Sequence, residues 1–218
     1  MDPHSGGSIV YTHGMEHTDG MATVKSRRSQ HTADSRTALI KAARRLFGER
    51  GYAAVSLDEV CRRARLTKGA LYHHFENKED LFLAVYDQVE EDLVSAGAEA
   101  TDGAADLWAQ LSGAGRALLD ICVRPDARRI ILEAPAVLGW AKARAAEEKY
   151  ALGQLQAGLE AAVSAGVLES DSPGLLAQLL FALFHEAGMS VAAAENPARS
   201  KAEVGLELDR VLNGLRPR

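Results

Sequence analysis

An all-α fold is what this 218-residue chain predicts, and three observations carry the prediction. From Leu39 onward apolar residues recur at three- and four-residue spacing, and nowhere do they alternate with polar ones as along a half-buried strand. Short polar side chains stand just before several of these stretches, where they can satisfy the free amides of a helix start. Glycine and proline punctuate the boundaries, at Gly51, Gly166, Pro125, Pro173 and Pro197. The expected architecture is an N-terminal three-helix unit ending in a helix-turn-helix, set on a C-terminal helical bundle.

Residues 1–30 lack apolar periodicity and are rich in Gly, Ser, Thr and His, so they are expected to be a disordered tail. The spacing of His4, His13 and His17 fits no ligand pattern, and no metal is expected there. The first helix is predicted over 33–50, where Leu39, Ala42, Ala43, Leu46 and Phe47 form one stripe. Gly51 ends it as a left-handed cap. Ser56 with Glu59 is a capping box for a helix over 57–64 that buries Leu57, Val60, Cys61 and Ala64. Arg65 and Leu66 form a turn. Thr67 then caps a short helix over 68–74 that buries Ala70, Leu71 and Phe75. Asn77, with Asp80 three residues on, opens a longer helix over 78–98 with Leu81, Phe82, Val85, Val89 and Leu93 facing inward.

The segment LTKGALYHHFENKEDL resembles the DNA-binding signature of the TetR family of bacterial regulators. The preceding ALIKAARRLFGERGYAAVSLDEVCRRA is similar to that domain's first two helices, and the likeness spans residues 35–83. The resemblance implies three parts: a tail with a basic arm over 1–30, a helix-turn-helix DNA-binding domain over 31–80, and an effector-binding and dimerisation domain over 81–218. Met21 looks like a family N-terminus, with residues 1–20 an upstream extension. Within the motif, Lys68 and His73 sit where side chains could reach base edges, while Gly69 and Ala70 allow close approach. Thr67, Tyr72 and Lys78 are the phosphate anchors that the resemblance implies. Lys25, Arg27 and Arg28 form the basic arm, suited either to a minor groove or to backbone steering. Arg65 stands where the family usually has glycine. If that position needs a positive φ, the arginine costs about 1 kcal/mol.

Charge divides along the same line. The net charge is −5, yet residues 21–80 hold 13 Lys and Arg against 7 Asp and Glu, while 81–218 hold 12 against 20. A cationic head on an acidic body suits double-stranded DNA as a partner.

The remainder reads as helices over 104–123, 125–132, 140–165 and 173–195, with a last one carrying Val204, Leu208, Val211 and Leu215. Pro135 is expected to interrupt the chain between the second and third of these. The segment ILEAPAVLGW resembles the body of one broad TetR subgroup. Trp108, Trp140, Tyr150, Phe181, Phe184, His185, Glu186 and Met189 are candidates for lining a small-molecule cavity, with ordinary bundle core the alternative for each aromatic. The His185–Glu186 pair is equally compatible with an interior, an interface or an exposed position. Glu90–Glu91 and Glu147–Glu148 are expected on solvated polar faces. The helix over 173–195 is apolar almost all round, and its stripe needs cover. Leu179, Leu183, Val204, Leu208 and Val211 are therefore the candidates for a four-helix homodimer interface, as the family resemblance implies.

Several classes are disfavoured. No uninterrupted apolar run approaches the ~20 residues of a membrane span, and the first twenty residues do not read as a secretory signal, so a cytoplasmic protein is expected. Cys61 and Cys122 fit buried free thiols. Metal spacings, nucleophile elbows and phosphate-cradling loops are not found, so neither a cofactor nor catalysis is expected. The leading expectation is a homodimeric repressor on a palindromic operator, released by a small, largely apolar effector. The alternatives are a helical-bundle enzyme or small-molecule carrier with a vestigial head, and an activator or nucleoid-type DNA binder.

Overall fold

The structure, a computed structural model, describes the backbone of residues 19–216 and side chains from residue 32 onward. Every regular element among the described residues is helical: α1 Asp19–Arg50, α2 Leu57–Ala64, α3 Lys68–His74, α4 Lys78–Thr101, α5 Leu107–Cys122, α6 Pro125–Leu138, α7 Trp140–Ser164, α8 Pro173–Ala193 and α9 Pro197–Gly214. His4, His13 and His17 lie outside the described residues.

The helix-turn-helix forms as its capping residues dictate. Ser56 and Glu59 close both halves of a capping box at the start of α2. Thr67 accepts the Ala70 amide at the start of α3, and Asn77 accepts the Asp80 amide at the start of α4. Leu39, Ala43 and Phe47 of α1 are fully buried against Val60, Leu71 and Phe82 in one core. The rings of Phe47, Tyr52 and Phe82 meet pairwise with centroids 5.2–5.7 Å apart. Such tilted and edge-on pairs favour the ring quadrupoles as well as burying area.

Two elements differ from the sequence reading. Helix α1 begins at Asp19 rather than near residue 33, so the backbone of Lys25, Arg27 and Arg28 is helical rather than an extended arm. Residues 21–32 contain no glycine or proline, and helix-favouring Ala, Met, Lys and Arg extend the helix without an apolar stripe. Helix α6 runs through Pro135 to Leu138 instead of stopping before it. Burial of Ile130, Ile131, Ala134 and Leu138 along one face holds it together across the missing amide.

Helix α6 connects head and body. Its Asp126 approaches α1 so closely that a Cβ on Gly48 would lie 2.7 Å from the Asp126 Cα. Arg44 of α1 reaches Asp92 of α4 at 2.7 Å and Asp126 at 3.3 Å. The Glu49 carbonyl accepts from Arg129 at 3.0 Å, and Glu133 accepts the Tyr52 backbone N–H at 2.6 Å. From the same stretch of α6, Arg128 donates to the carbonyls of Ala192 and Ala194, where α8 ends.

Behind this junction the body is a bundle of α4, α5, α7, α8 and α9. A second core of Trp108, Leu111, Leu159, Ala177, Leu180, Leu208 and Leu212 fills its far end. Helix α8 is the one described helix long and apolar enough to cross a membrane by length and composition. Gln178, His185 and Glu186 interrupt it, and it packs against α5, α6, α7 and α9.

Arg65 adopts φ 57° and ψ 39°, the one non-glycine residue with positive φ among the described residues. Its side chain is exposed, so the strain is not repaid by packing. Arg65→Gly is therefore expected to stabilise the protein by about 1 kcal/mol, raising the thermal midpoint by about 2–4 °C in a chain of this size. A lowered midpoint in differential scanning calorimetry would show that the arginine contributes something the glycine cannot.

Candidate nucleic-acid interface and effector cavity

The head presents α3 to solvent. Leu71 and Phe75 are buried, while Thr67, Lys68, Gly69, Tyr72 and His73 are exposed and Ala70 is partly buried. Tyr72 is 57% exposed, an unusual position for a ring with no covering residue. Lys68 pairs with Asp58 of α2 at 2.7 Å, and that hydrogen bond holds its ammonium above the usual lysine range. His73 meets His74 edge-on, and His74 shares a 2.9 Å hydrogen bond with Ser35 of α1. Lys78 is only partly exposed: its Nζ lies 4.2 Å from the centroid of the Tyr52 ring, and burial lowers its pKa. It thus packs the head as well as carrying charge. The side chains of Arg27 and Arg28 lie outside the described residues.

In the body, α4, α5, α7 and α8 enclose a cavity of about 350 Å³, with Ile131 of α6 reaching it. That volume lies within the range of small-molecule sites. Phe181, Phe184, His185 and Met189 of α8 line it together. Trp108, Trp140 and Tyr150 do not. Trp108 is buried in the far core, one residue around α5 from the lining Leu107. Trp140 is 62% exposed, its ring perpendicular to that of His185 with centroids 6.0 Å apart. Tyr150 donates to Glu91 at 3.1 Å on the surface. Glu186 is exposed, so the His185–Glu186 pair splits, with only the histidine turned inward.

The sequence reading missed the cavity's polar floor. Glu90 and Glu147 were expected in solvent; they are the two buried charged residues among those described, at 7% and 6% exposure. Tyr86 donates to Glu147 Oε1 at 2.8 Å. Glu147 Oε2 is fully buried and makes no hydrogen bond, although His185 Nδ1 lies 3.1 Å away at an unfavourable angle. Contact with Glu147 raises the pKa of His185, while burial, and then the neighbouring Glu147, push Glu90 up to about 8. The signal was present: Tyr86, Glu90, Leu93 and Gly97 fall at i, i+4, i+7 and i+11, which places Glu90 within the inward stripe.

The five interface candidates also separate. Leu179 and Val211 are exposed, at 61% and 47%. Leu183 and Val204 are half-buried against the protein's own cores. Leu208 is 3% exposed and belongs to the far core, so it is a packing residue of the protomer. The neighbouring α5 backbone lies close enough to absorb it.

A three-helix head exposing a short second motif helix, carried on a bundle with an internal cavity, is the architecture of a one-component DNA-binding regulator. Comparison with known proteins makes this specific. Residues 39–85 match the model of the bacterial regulatory proteins of the tetR family, and residues 108–215 match a tetracyclin repressor-like C-terminal domain. A crystal structure of a TetR-family transcriptional regulator from Pectobacterium atrosepticum superposes with a TM-score of 0.75 at 30% identity, covering 87% of this chain and 97% of that one. The transposon Tn10 TetC protein of Escherichia coli is 29% identical over 160 residues, 72% of this chain and 79% of its own length. The HTH-type transcriptional activator FasR of Mycolicibacterium smegmatis is 37% identical over 87 residues, 40% of each chain. The chain belongs to the TetR family of transcriptional regulators, which are DNA-binding proteins and not enzymes.

Glu90 makes stability depend on pH in a defined direction. Its carboxyl titrates near the ordinary value of 4.5 when unfolded and near 8 when folded. Between those values the folded state binds more protons, so stability falls as pH rises through that window. Glu90→Gln is expected to flatten the fall and to leave the variant more stable than wild type at pH 9, by on the order of a few kcal/mol. Urea unfolding followed by circular dichroism at pH 5 and pH 9 measures it. Parallel pH profiles for the two proteins would place Glu90 in water.

Proposed function

We propose that the chain is a ligand-responsive repressor that holds a palindromic operator as a homodimer and is released when a small, largely apolar effector fills the cavity of α4, α5, α7 and α8. The observation that carries this reading is one protomer containing both an exposed α3 and a largely apolar cavity, joined by helices that belong to both. Residues 31–80 serve as the head and 81–218 as the effector-binding and dimerisation part. In the head, Lys68 and His73 read base edges and Gly69 and Ala70 permit approach. Thr67, Tyr72 and Lys78 contact phosphates, and Arg27 and Arg28 add charge from α1. Phosphate contacts fix register, whereas base contacts carry sequence.

Dimerisation through α8 and α9 is supported by where apolar side chains remain uncovered. Leu175, Leu179, Leu206, Val211 and Leu215 are all exposed, and they make up five of the eight large apolar residues exposed among those described. Their concentration on these two helices supports an interface there. Two protomers so joined would set their α3 helices on successive turns of DNA, about 34–36 Å apart. An effector that prefers another separation weakens operator binding by its differential affinity for the two arrangements.

Fragments selected from random duplex DNA are expected to share a two-fold sequence, and light scattering is expected to give a dimer at micromolar concentration. Leu179→Glu with Val211→Glu should leave a folded monomer that no longer holds the selected site, since an unpaired buried charge costs several kcal/mol. A wild-type protein that is monomeric under those conditions removes the dimer and the palindrome together.

A further inference from the structure

The cavity carries a chemical preference in its floor. Along α4 it extends from Tyr86 to Thr101, about 22 Å at the helical rise of 1.5 Å per residue. Toward Thr101 the lining mixes Val94, Leu107 and Leu111 with the polar Thr101 and Gln110, and Ala98 and Gln110 are exposed there. The opposite end is formed by Glu90 of α4 and Glu147 of α7, both more than nine-tenths buried. Two acids face the space and no lysine or arginine does; His185 is the one basic residue in the lining.

Each alternative headgroup meets a different fate there. A carboxylate or phosphate would find no guanidinium or ammonium, only His185, which already faces Glu147 at 3.1 Å, and it would lie against two carboxyl groups. A purely apolar ligand would leave the buried Glu147 Oε2 with no hydrogen bond and only the His185 Nδ1 beside it at 3.1 Å. An ammonium supplies donors to that oxygen and charge complementarity to both carboxyls. Arg144 already lies outside the floor, 4.0 Å from Glu147 Oε2, with its guanidinium over the Phe181 ring and paired to Glu148. It does not fill the space. Burial, and then the neighbouring Glu147, favour a proton on Glu90, which avoids leaving an uncompensated charge there.

We propose that the cavity selects amphiphilic organic cations, with an ammonium group seated between Glu90 and Glu147 and an apolar body extended along α4 toward Thr101. This rests on the reading of the cavity as the effector site and names the chemistry of its ligand.

The test compares three probes with one apolar body and different heads: decylammonium, decanol and decanoate, each titrated against the full-length protein by calorimetry below its aggregation concentration. Decylammonium is expected to bind at least about ten-fold tighter than decanol, with decanoate weakest. In the Glu90→Gln, Glu147→Gln double variant that preference is expected to vanish while decanol binding persists, which also reports that the cavity is intact. Decanol or decanoate binding as tightly as decylammonium to the wild type would overturn the cation and leave the effector cavity standing. Binding of none of the three would overturn both.

Discussion

The hydrogen bond from the Tyr52 backbone N–H to Glu133 is the contact on which head and body depend. It lies just past the C-terminus of α1, where Gly51 turns the chain at φ +83° and helix-end polar groups need partners. Helix α6 supplies them. Glu133 accepts from Tyr52, Arg129 donates to Glu49, and Asp126 draws in Arg44. The same helix closes the end of α8 through Arg128 and puts Ile131 into the cavity. One element therefore touches the head, the cavity and a candidate interface helix. Interiors are close-packed, so such an element moves as a unit or not at all. In the proposed reading, a ligand that displaces α6 or α4 changes the head's position without any contact of its own to DNA.

A cavity floored by two buried acids is costly, and the arrangement around it limits that cost. Two buried acids would destabilise a bundle if both stood unpaired. Glu90 keeps its proton, while Glu147 takes the Tyr86 hydroxyl on one oxygen and lies beside His185 on the other. One oxygen still lacks a hydrogen bond. In the proposed reading, a donor on the ligand completes that oxygen's hydrogen bonding.

Local chemistry was the legible part of the sequence. The capping box at Ser56, the caps at Thr67 and Asn77, and the positive φ of Gly51 depend on residues within a few positions of one another, and all are present. The positive φ of Arg65 was legible only as a condition, through the glycine that the resembled family usually has at that turn. What depended on the third dimension was not. Whether Leu208 faces a neighbour or its own core is settled by how closely α5 approaches α9, which no stripe in α9 reveals. The acidic floor was obscured because Glu90 and Glu147 each stand beside a second glutamate, and pairs of that kind read as solvated surface. Pro135 suggested a break because its missing amide is visible in sequence, whereas the burial that carries α6 past it is not.

The claim that α3 reads sequence while its neighbours hold the backbone is tested most directly by equilibrium competition between one selected operator and its single-base variants, using wild type, Tyr72→Ala and His73→Ala. The account predicts that Tyr72→Ala weakens binding to every duplex by a similar factor, and that His73→Ala alters which variant is preferred, each lost base contact relaxing discrimination by about 1–3 kcal/mol. If His73→Ala leaves the order of preference intact while Tyr72→Ala reorders it, the assignment of reading and anchoring on α3 is contradicted.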